Sequence, residues 1–562
     1  MNLDYLFLFI EYVALLIMTQ KSFSLTEIYE HLKPFHLSDS LFVIGMINSA
    51  FKYGVDTIDN AAPKNILAFI RRDLTSENHR RAFFLMSTRL SRYLLLSGSN
   101  DFKSKILDFN PPDLQRALNM VGHLLEYDLK ESKNDWERIF GRLGQWQFPL
   151  QLEPLTLIGR AHLLYNKIPK SINTLYNFEN KMQEYFGISI YSFIASGISL
   201  WITSNGRYNS ELKNGIDTLN NVVTDESVRI FTKLSTITPR EYREAIRGTD
   251  WKKVQILKDM YAFDALNQKP IVKVEKSTIL PKESYVIPQP SYLIHRVAMG
   301  VFYLLSDKEQ ELTRIKNSTR QEINEFRISF GSVYREYVKM NLKLSNKRVV
   351  FVDLDDQNFI YNKKKPDFAI IENETCVLIE VKTTLLNLNV RTYFDRSDAE
   401  TEIKKGTFNN ALKQLNDFES AILQMKVYDA RFKNVRRVVK VIVGFEDIFL
   451  ANSFILPILR AQDPTANANL QICTISDIEM IGTYLSSKHS LAKIFSKKIS
   501  DSKSIDDSMS AYIKNNGKKM RTYNLLLREN QAELFELMLG KDNFNKKLKL
   551  KSNPIQFLKK LL

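Results

Sequence analysis

Cysteine is nearly absent: Cys376 and Cys473 are the only two in 562 residues, and they stand in separate apolar runs. A disulfide framework is excluded, and with no Cys-x-x-Cys pair so is a thiolate zinc site. Histidine is scarce as well. The seven are scattered and none forms an HxxxH or HExxH pair, which argues against a histidine-ligated metal. His31 and His36, five apart, are expected in or beside a turn. No GxxxxGK[ST] stretch occurs, so an ATP-driven step would have to come from another protein. No fixed-period repeat marks a solenoid.

Long apolar runs are missing too. A helix crossing a bilayer needs about 20 predominantly apolar residues, and the greasiest stretch, "MNLDYLFLFIEYVALLIMTQ", has no basic leader and is interrupted by Asp4 and Glu11. It is expected to be a buried first helix rather than a signal or anchor. A cytoplasmic protein without stable membrane insertion is the expectation.

What is present is positive charge: 79 Lys plus Arg against 63 Asp plus Glu, a net of +16. That balance suits a polyanionic partner, nucleic acid or an anionic membrane surface. Hydrophobic residues at 44% and charged residues at 25% are globular proportions.

Residues 1–290 read as a mainly helical region for recognition or a protein partner. "SLTEIYEHL", "LQRALNMVGHLLEYDL" and "TLYNFENKMQEYFGISIYSFIASGISLW" space their apolar residues by three and four. Ser24 with Glu27 is a capping box, and "FNPPDLQ" predicts a helix start near Pro112. Trp136, Trp146 and Trp201 read as core. The proline-punctuated β-like runs of 269–290 mark a boundary. Residues 291–500 then form an α/β unit: a long helical stretch with a break near Gly331, strands at "KRVVFVDLDD", "PDFAII" and "CVLIEVK", a polar helix over 398–426, a strand at 436–445, an apolar helix and a strand at "LQICTIS". That order predicts a mixed sheet with helices on its faces. Residues 501–562 form a basic helical tail, whose last 22 positions hold seven lysines and one aspartate.

Glu380 and Lys382 interrupt a strand of Val, Leu and Ile, where unpaired charge is costly. With Asn373 and Glu374 as a two-residue turn, Ile371 faces Cys376 and Asp367 falls opposite Glu380. Cβ atoms so paired lie about 4.5–5.5 Å apart. Alternation puts Glu380 and Lys382 on one face. Asn-Glu is not a strong turn pair, so a longer loop with another pairing stays open. Two carboxylates this close repel unless a cation lies between them. An all-oxygen donor set favours Mg²⁺ or Mn²⁺, and a lysine beside it suits phosphodiester hydrolysis.

These residues resemble the PD-(D/E)xK nuclease superfamily, in which the Asp and the E-x-K sit on neighbouring strands of a restriction-endonuclease-like fold. The resemblance spans roughly 320–480. It implies that Asp367 and Glu380 bind Mg²⁺ (or Mn²⁺), that the Val381 carbonyl completes the shell, and that Lys382 assists catalysis. "QLNDF" is similar to the family's QxxxY element, making Gln414 the matching polar residue, with Phe418 in place of Tyr. "GSVYREYV" resembles a family helix that usually contributes another acid. Here Arg335 stands at that position and Glu336 follows one residue later, about 100° further round the helix. The resemblance further implies a bacterial nuclease acting on DNA more than RNA, in restriction or phage defence. A catalytically inert nucleic-acid-binding or scaffold subunit is the rival. Lys363, Lys364 and Lys365, with Lys404, Lys405 and Lys413 downstream, are candidates for phosphate contacts. Asp353, Asp355 and Asp356 read as a solvated turn.

Overall fold

The computed structural model describes residues 23–53, 68, 71, 77–101, 105, 113–114, 116–121, 153–204, 207–208, 223–248, 265–277, 279–280, 282–316, 324–345, 349–356, 361, 364–383, 396–424, 427, 429–445, 447, 451–516, 520–521 and 523–540. The expected first helix, the helix start at Pro112, Trp136, Trp146, Lys363 and the basic tail of 541–562 lie outside them.

The described residues open with α1 (Leu25–Leu32), whose Ser24 and Glu27 form the expected reciprocal cap, then α2 (Leu37–Tyr53) and α3 (Glu77–Ser97). These helices share an apolar core with one face of a four-stranded sheet built from β1 (Arg207–Tyr208), β2 (Thr236–Ile237), β3 (Ile271–Val274) and β4 (Ser284–Val286), in the order β1-β4-β3-β2. The β-like runs of 269–290 are therefore strands β3 and β4.

A second and larger core begins at α4 (Pro154–His162). It takes in α5 (Phe178–Phe186), α6 (Ile190–Thr203), α7 (Asp225–Ser235), α9 (Pro290–Lys316) and α10 (Glu325–Leu342), and it reaches Leu539; α8 (Pro239–Gly248) belongs to the first core. Gly187 closes α5 at φ 71, a left-handed cap glycine adopts without strain, and α6 leaves at 68°. Trp201 of α6 is fully buried. Gly331 lies inside α10, which starts at Glu325 behind its N-cap Asn324, so the expected break does not fall at Gly331. Among the described residues no single helix is long and apolar enough to cross a membrane.

The second sheet has the order β5-β6-β7-β8-β9: β5 (Val350–Asp353), β6 (Phe368–Glu372), β7 (Thr375–Lys382), β8 (Arg437–Gly444) and β9 (Leu470–Cys473). Pairs β5–β6 and β6–β7 are antiparallel, β7–β8 and β8–β9 parallel. A parallel neighbour requires a crossover, supplied by α12 (Thr407–Leu423) and α13 (Ala451–Arg460). The polar helix expected over 398–426 is split at Gly406 into α11 (Arg396–Lys405) and α12. Alternation gives the sheet two apolar faces. Phe368, Ile370, Val377 and Ile379 join α10 in the large core, while Ala369, Ile371, Cys376 and Leu378 meet Leu412, Leu415 and Phe418 of α12. The fold is mixed α/β.

After β9 come α14 (Ile475–Ser486), α15 (Leu491–Ser500), α16 (Met509–Asn516) and α17 (Leu525–Leu539). The large core runs from Leu157 to Leu539, across both expected boundaries at 290 and 500. Its centre is ionic. Buried Arg160 of α4 grips Glu479 of α14 through two hydrogen bonds, Nε to Oε1 at 2.6 Å and a terminal nitrogen to Oε2 at 2.9 Å. It also reaches Asp447 at 3.3 Å and Ser476 Oγ at 3.0 Å. The Tyr337 hydroxyl of α10 donates to the same Glu479. Close by, Gly159 lets α4 approach α17, because a Cβ there would collide with the Leu527 carbonyl.

Two predictions arise. Arg160→Met strands Glu479 in an apolar core and should cost about 3–5 kcal/mol, read as a lowered urea midpoint; an unchanged midpoint would mean the pair is energetically idle. The second concerns buried His162, whose Nε2 lies 3.7 Å from Glu533 Oε1. Burial pushes its pKa down to about 4, Glu533 opposing. The unfolded chain protonates near pH 6.5 while the folded one does not, so stability should fall as pH drops from about 6.5 to about 4, by up to about 3 kcal/mol. Melting curves of His162→Leu over that window should decline less steeply than wild type.

Candidate active site

The β6–β7 hairpin has the register expected from the sequence, Ile371 opposite Cys376 and Phe368 opposite Ile379. Asn373 supplies the tight turn at φ 54, in the left-handed region that asparagine tolerates better than most residues. The ladder stops at Phe368. One residue earlier, Asp367 lies beside Glu380, and its Oδ2 accepts the Val381 N–H at 2.7 Å. In an extended strand a residue's N–H and C=O point to the same side, so the Val381 carbonyl also faces this gap. The residue across from it is Pro366, which has no N–H to return.

Side chains from both faces of the sheet meet at this strand end. Glu380 is 2% exposed. Lys382 donates to its Oε1, and Gln414 of α12 donates to its Oε2 at 3.0 Å and to the Lys365 carbonyl. From the opposite face, Arg335 of α10 passes over the Phe368 ring, 4.5 Å from its centre. Its Nε donates to Asp367 Oδ1 at 2.8 Å, and a terminal nitrogen contacts both Asp353 and, at 3.2 Å, the Asp367 carbonyl. Asp355 lies 3.1 Å from the same guanidinium. Lys339, one turn further along α10, holds Asp353 at 3.0 Å and Glu336 at 3.3 Å.

The electrostatics follow from burial and crowding. Burial first and the neighbouring Asp367 second push Glu380 up to about 7, with Lys382 opposing. Burial also raises Asp367, against the Val381 N–H and Arg335. Asp353 goes the other way: burial opposes, but Arg335 and Lys339 hold it below the usual carboxylate range. Burial works against the Arg335 charge as well, and its three aspartates overcome that and raise its pKa. Both raised carboxylates already meet a cation, Arg335 at Asp367 and Lys382 at Glu380. Asp367, Glu380 and the Val381 carbonyl form an all-oxygen set of the kind Mg²⁺ and Mn²⁺ prefer. Each carboxylate has about four lone-pair positions, so the hydrogen bonds to Asp367 leave it able to ligate. Among the described residues no group of three Asp, Glu, His or Cys side chains converges in a metal-ligating arrangement. The remaining ligands would be water and substrate.

Asp367, Glu380, Val381, Lys382 and Gln414 are thus brought together. Phe418 is buried beneath the sheet. Glu336 is tied to Lys339. Lys364, Lys404, Lys405 and Lys413 are exposed, and Lys365 is half-buried; Lys404 pairs with Glu400 at 2.9 Å. Asp353 is not a solvated turn residue, because Arg335 and Lys339 both bind it. Two patterns could have found it. Buried Val352 and Leu354 turn Asp353 toward α10, and Arg335 and Lys339 stand four apart on one helical face.

No family model, no curated protein and no solved structure matches this chain.

Glu380→Gln keeps an acceptor for Gln414 and removes the repulsion with Asp367. In EDTA it should raise the melting temperature, by about 1 kcal/mol in stability, whereas Lys382→Met should lower it. A fall with Glu380→Gln would make the acid a structural ion-pair partner instead.

Proposed function

We propose that this chain is a metal-dependent nuclease whose restriction-endonuclease-like domain hydrolyses phosphodiester bonds of DNA in preference to RNA, in bacterial restriction or phage defence. The observation that carries the reading is the placement of Asp367, Glu380, Lys382 and Gln414, from two strands and a helix, around one strand end where a backbone carbonyl also faces. The preference for DNA and the defence setting rest on the resemblance of "PDF…IEVK" alone.

In this reading Asp367, Glu380 and the Val381 carbonyl would hold Mg²⁺ or Mn²⁺, which would supply an acidified water and offset charge building on the phosphate. Lys382, an ammonium seated on Glu380, would orient the attacking water and stabilise the phosphate oxygens. Gln414 positions water or phosphate from the α12 side. The exposed lysines 364, 405 and 413 add sequence-independent affinity that weakens with salt.

One observation favours the inert rival: Arg335 already occupies Asp367 Oδ1. A cleavage assay with Mg²⁺ or Mn²⁺ on plasmid, linear, single-stranded and RNA substrates separates the two. Cleavage should vanish in Asp367→Ala and Glu380→Ala with the fold retained. Lys382→Ala should slow it about 10²–10³-fold with metal binding preserved in calorimetry, and Gln414→Ala should slow it partially. Substrate binding without cleavage under every condition would leave the inert reading standing.

A further inference from the structure

The strand-end patch is crowded with charge. Ion pairs join Asp353, Asp355, Asp367 and Glu336 to Arg335 and Lys339, a further pair joins Glu380 to Lys382, and the Val381 N–H between those two residues binds Asp367. With every acid ionised, as a bound divalent ion would require of Asp367 and Glu380, five carboxylates against three cations leave two negative charges, which a single divalent ion neutralises. Arg335 matters most to that balance, since it alone touches three of the acids, and its guanidinium is held in place by the Phe368 ring beneath it. An arginine does not lose its proton at accessible pH, so this charge is permanent.

We propose that Arg335 is a built-in counter-ion that limits the site to one divalent cation, bound between Asp367 and Glu380. The inference rests on the metal reading above and adds the number of ions and the residue that sets it. A neutral side chain at 335 leaves three uncompensated charges, and an acidic one leaves four, enough for two divalent ions. Arg335 is a positioning residue here: its Nε holds Asp367 Oδ1 while the Val381 N–H holds Oδ2.

The test counts ions without any nucleic acid. The full chain is titrated with MnCl₂ by calorimetry, and bound Mn²⁺ is counted by electron paramagnetic resonance. Wild type should take one Mn²⁺ and Arg335→Glu two. Arg335→Gln, which keeps a donor for Asp367 and perturbs packing least, should take one ion about tenfold more tightly, because a cation close to a divalent ion is removed. Arg335→Lys, which keeps the charge, should stay near wild type in both number and affinity. Two ions in wild type, one in a folded Arg335→Glu, or unchanged or weaker binding in Arg335→Gln would each overturn the role of Arg335 while leaving the metal site in place. No Mn²⁺ binding to wild type would overturn the metal reading itself, and this inference with it. If Arg335→Glu does not fold, the contrast between Arg335→Gln and Arg335→Lys decides alone, since both disturb the packing and only one changes the charge.

Discussion

The buried Arg160–Glu479 pair is the interaction on which the rest of the molecule depends. A cation taken out of water is costly, and it persists only where geometry and hydrogen bonds are nearly complete. Here they are: Glu479 holds two guanidinium nitrogens, and the Tyr337 hydroxyl also turns to it. That one carboxylate thereby connects α4, α10 and α14, three elements far apart in the chain. Since α10 also carries Arg335, the buried ion pair and the charged strand end share one helix, Tyr337 on its buried side and Arg335 at the site. Tyr334, the residue before Arg335, donates to the Gly444 carbonyl at 2.7 Å and fixes the same helix to β8.

The strand end itself uses the sheet's own regularity. Alternation that buries Leu378 and Cys376 must also turn Glu380 inward, and only the termination of the ladder before Phe368 gives that carboxylate an open edge. A proline at 366 enforces the termination, because it cannot return a hydrogen bond to β7. The cost of a nearly buried acid is met by Lys382 and Gln414, each held by a neighbour on a regular element. Charge at the site is therefore positioned by backbone geometry more than by flexible loops.

Much of this was legible in the sequence, for identifiable reasons. The β6–β7 register followed from a period of two with a two-residue turn, and Asn373 in the left-handed region resolved the one weak link. Strands β5, β8 and β9 and the intervening helices followed from their hydrophobic runs. Less accessible were features of tertiary origin. Gly331 looked like a helix break, yet the packing of Phe330 and Val333 carries α10 straight through it. Asp353 looked solvated because its partners are supplied by a helix ending several residues upstream. Arg335 was visible only as a departure from an expected acid; the three aspartates around it required coordinates. The strands at 207–208 and 236–237 are two residues each, too short to leave a periodic signal.

The closeness of α4 and α17 bears on how the chain acquires its shape. Lys167 and Glu533, joined at 2.6 Å, are 366 residues apart in the sequence, and Gly159 lies directly against Leu527 of the same later helix. During synthesis at about 5–20 residues per second, α4 waits roughly twenty seconds or more before its covering helix exists. The part of its apolar side that α17 covers stays exposed for that interval, alongside strands of the parallel pairs that also close late. Such a chain is expected to be a client of holding chaperones while it is being made, and its yield should respond to translation speed more than that of a protein assembled from sequentially completed domains.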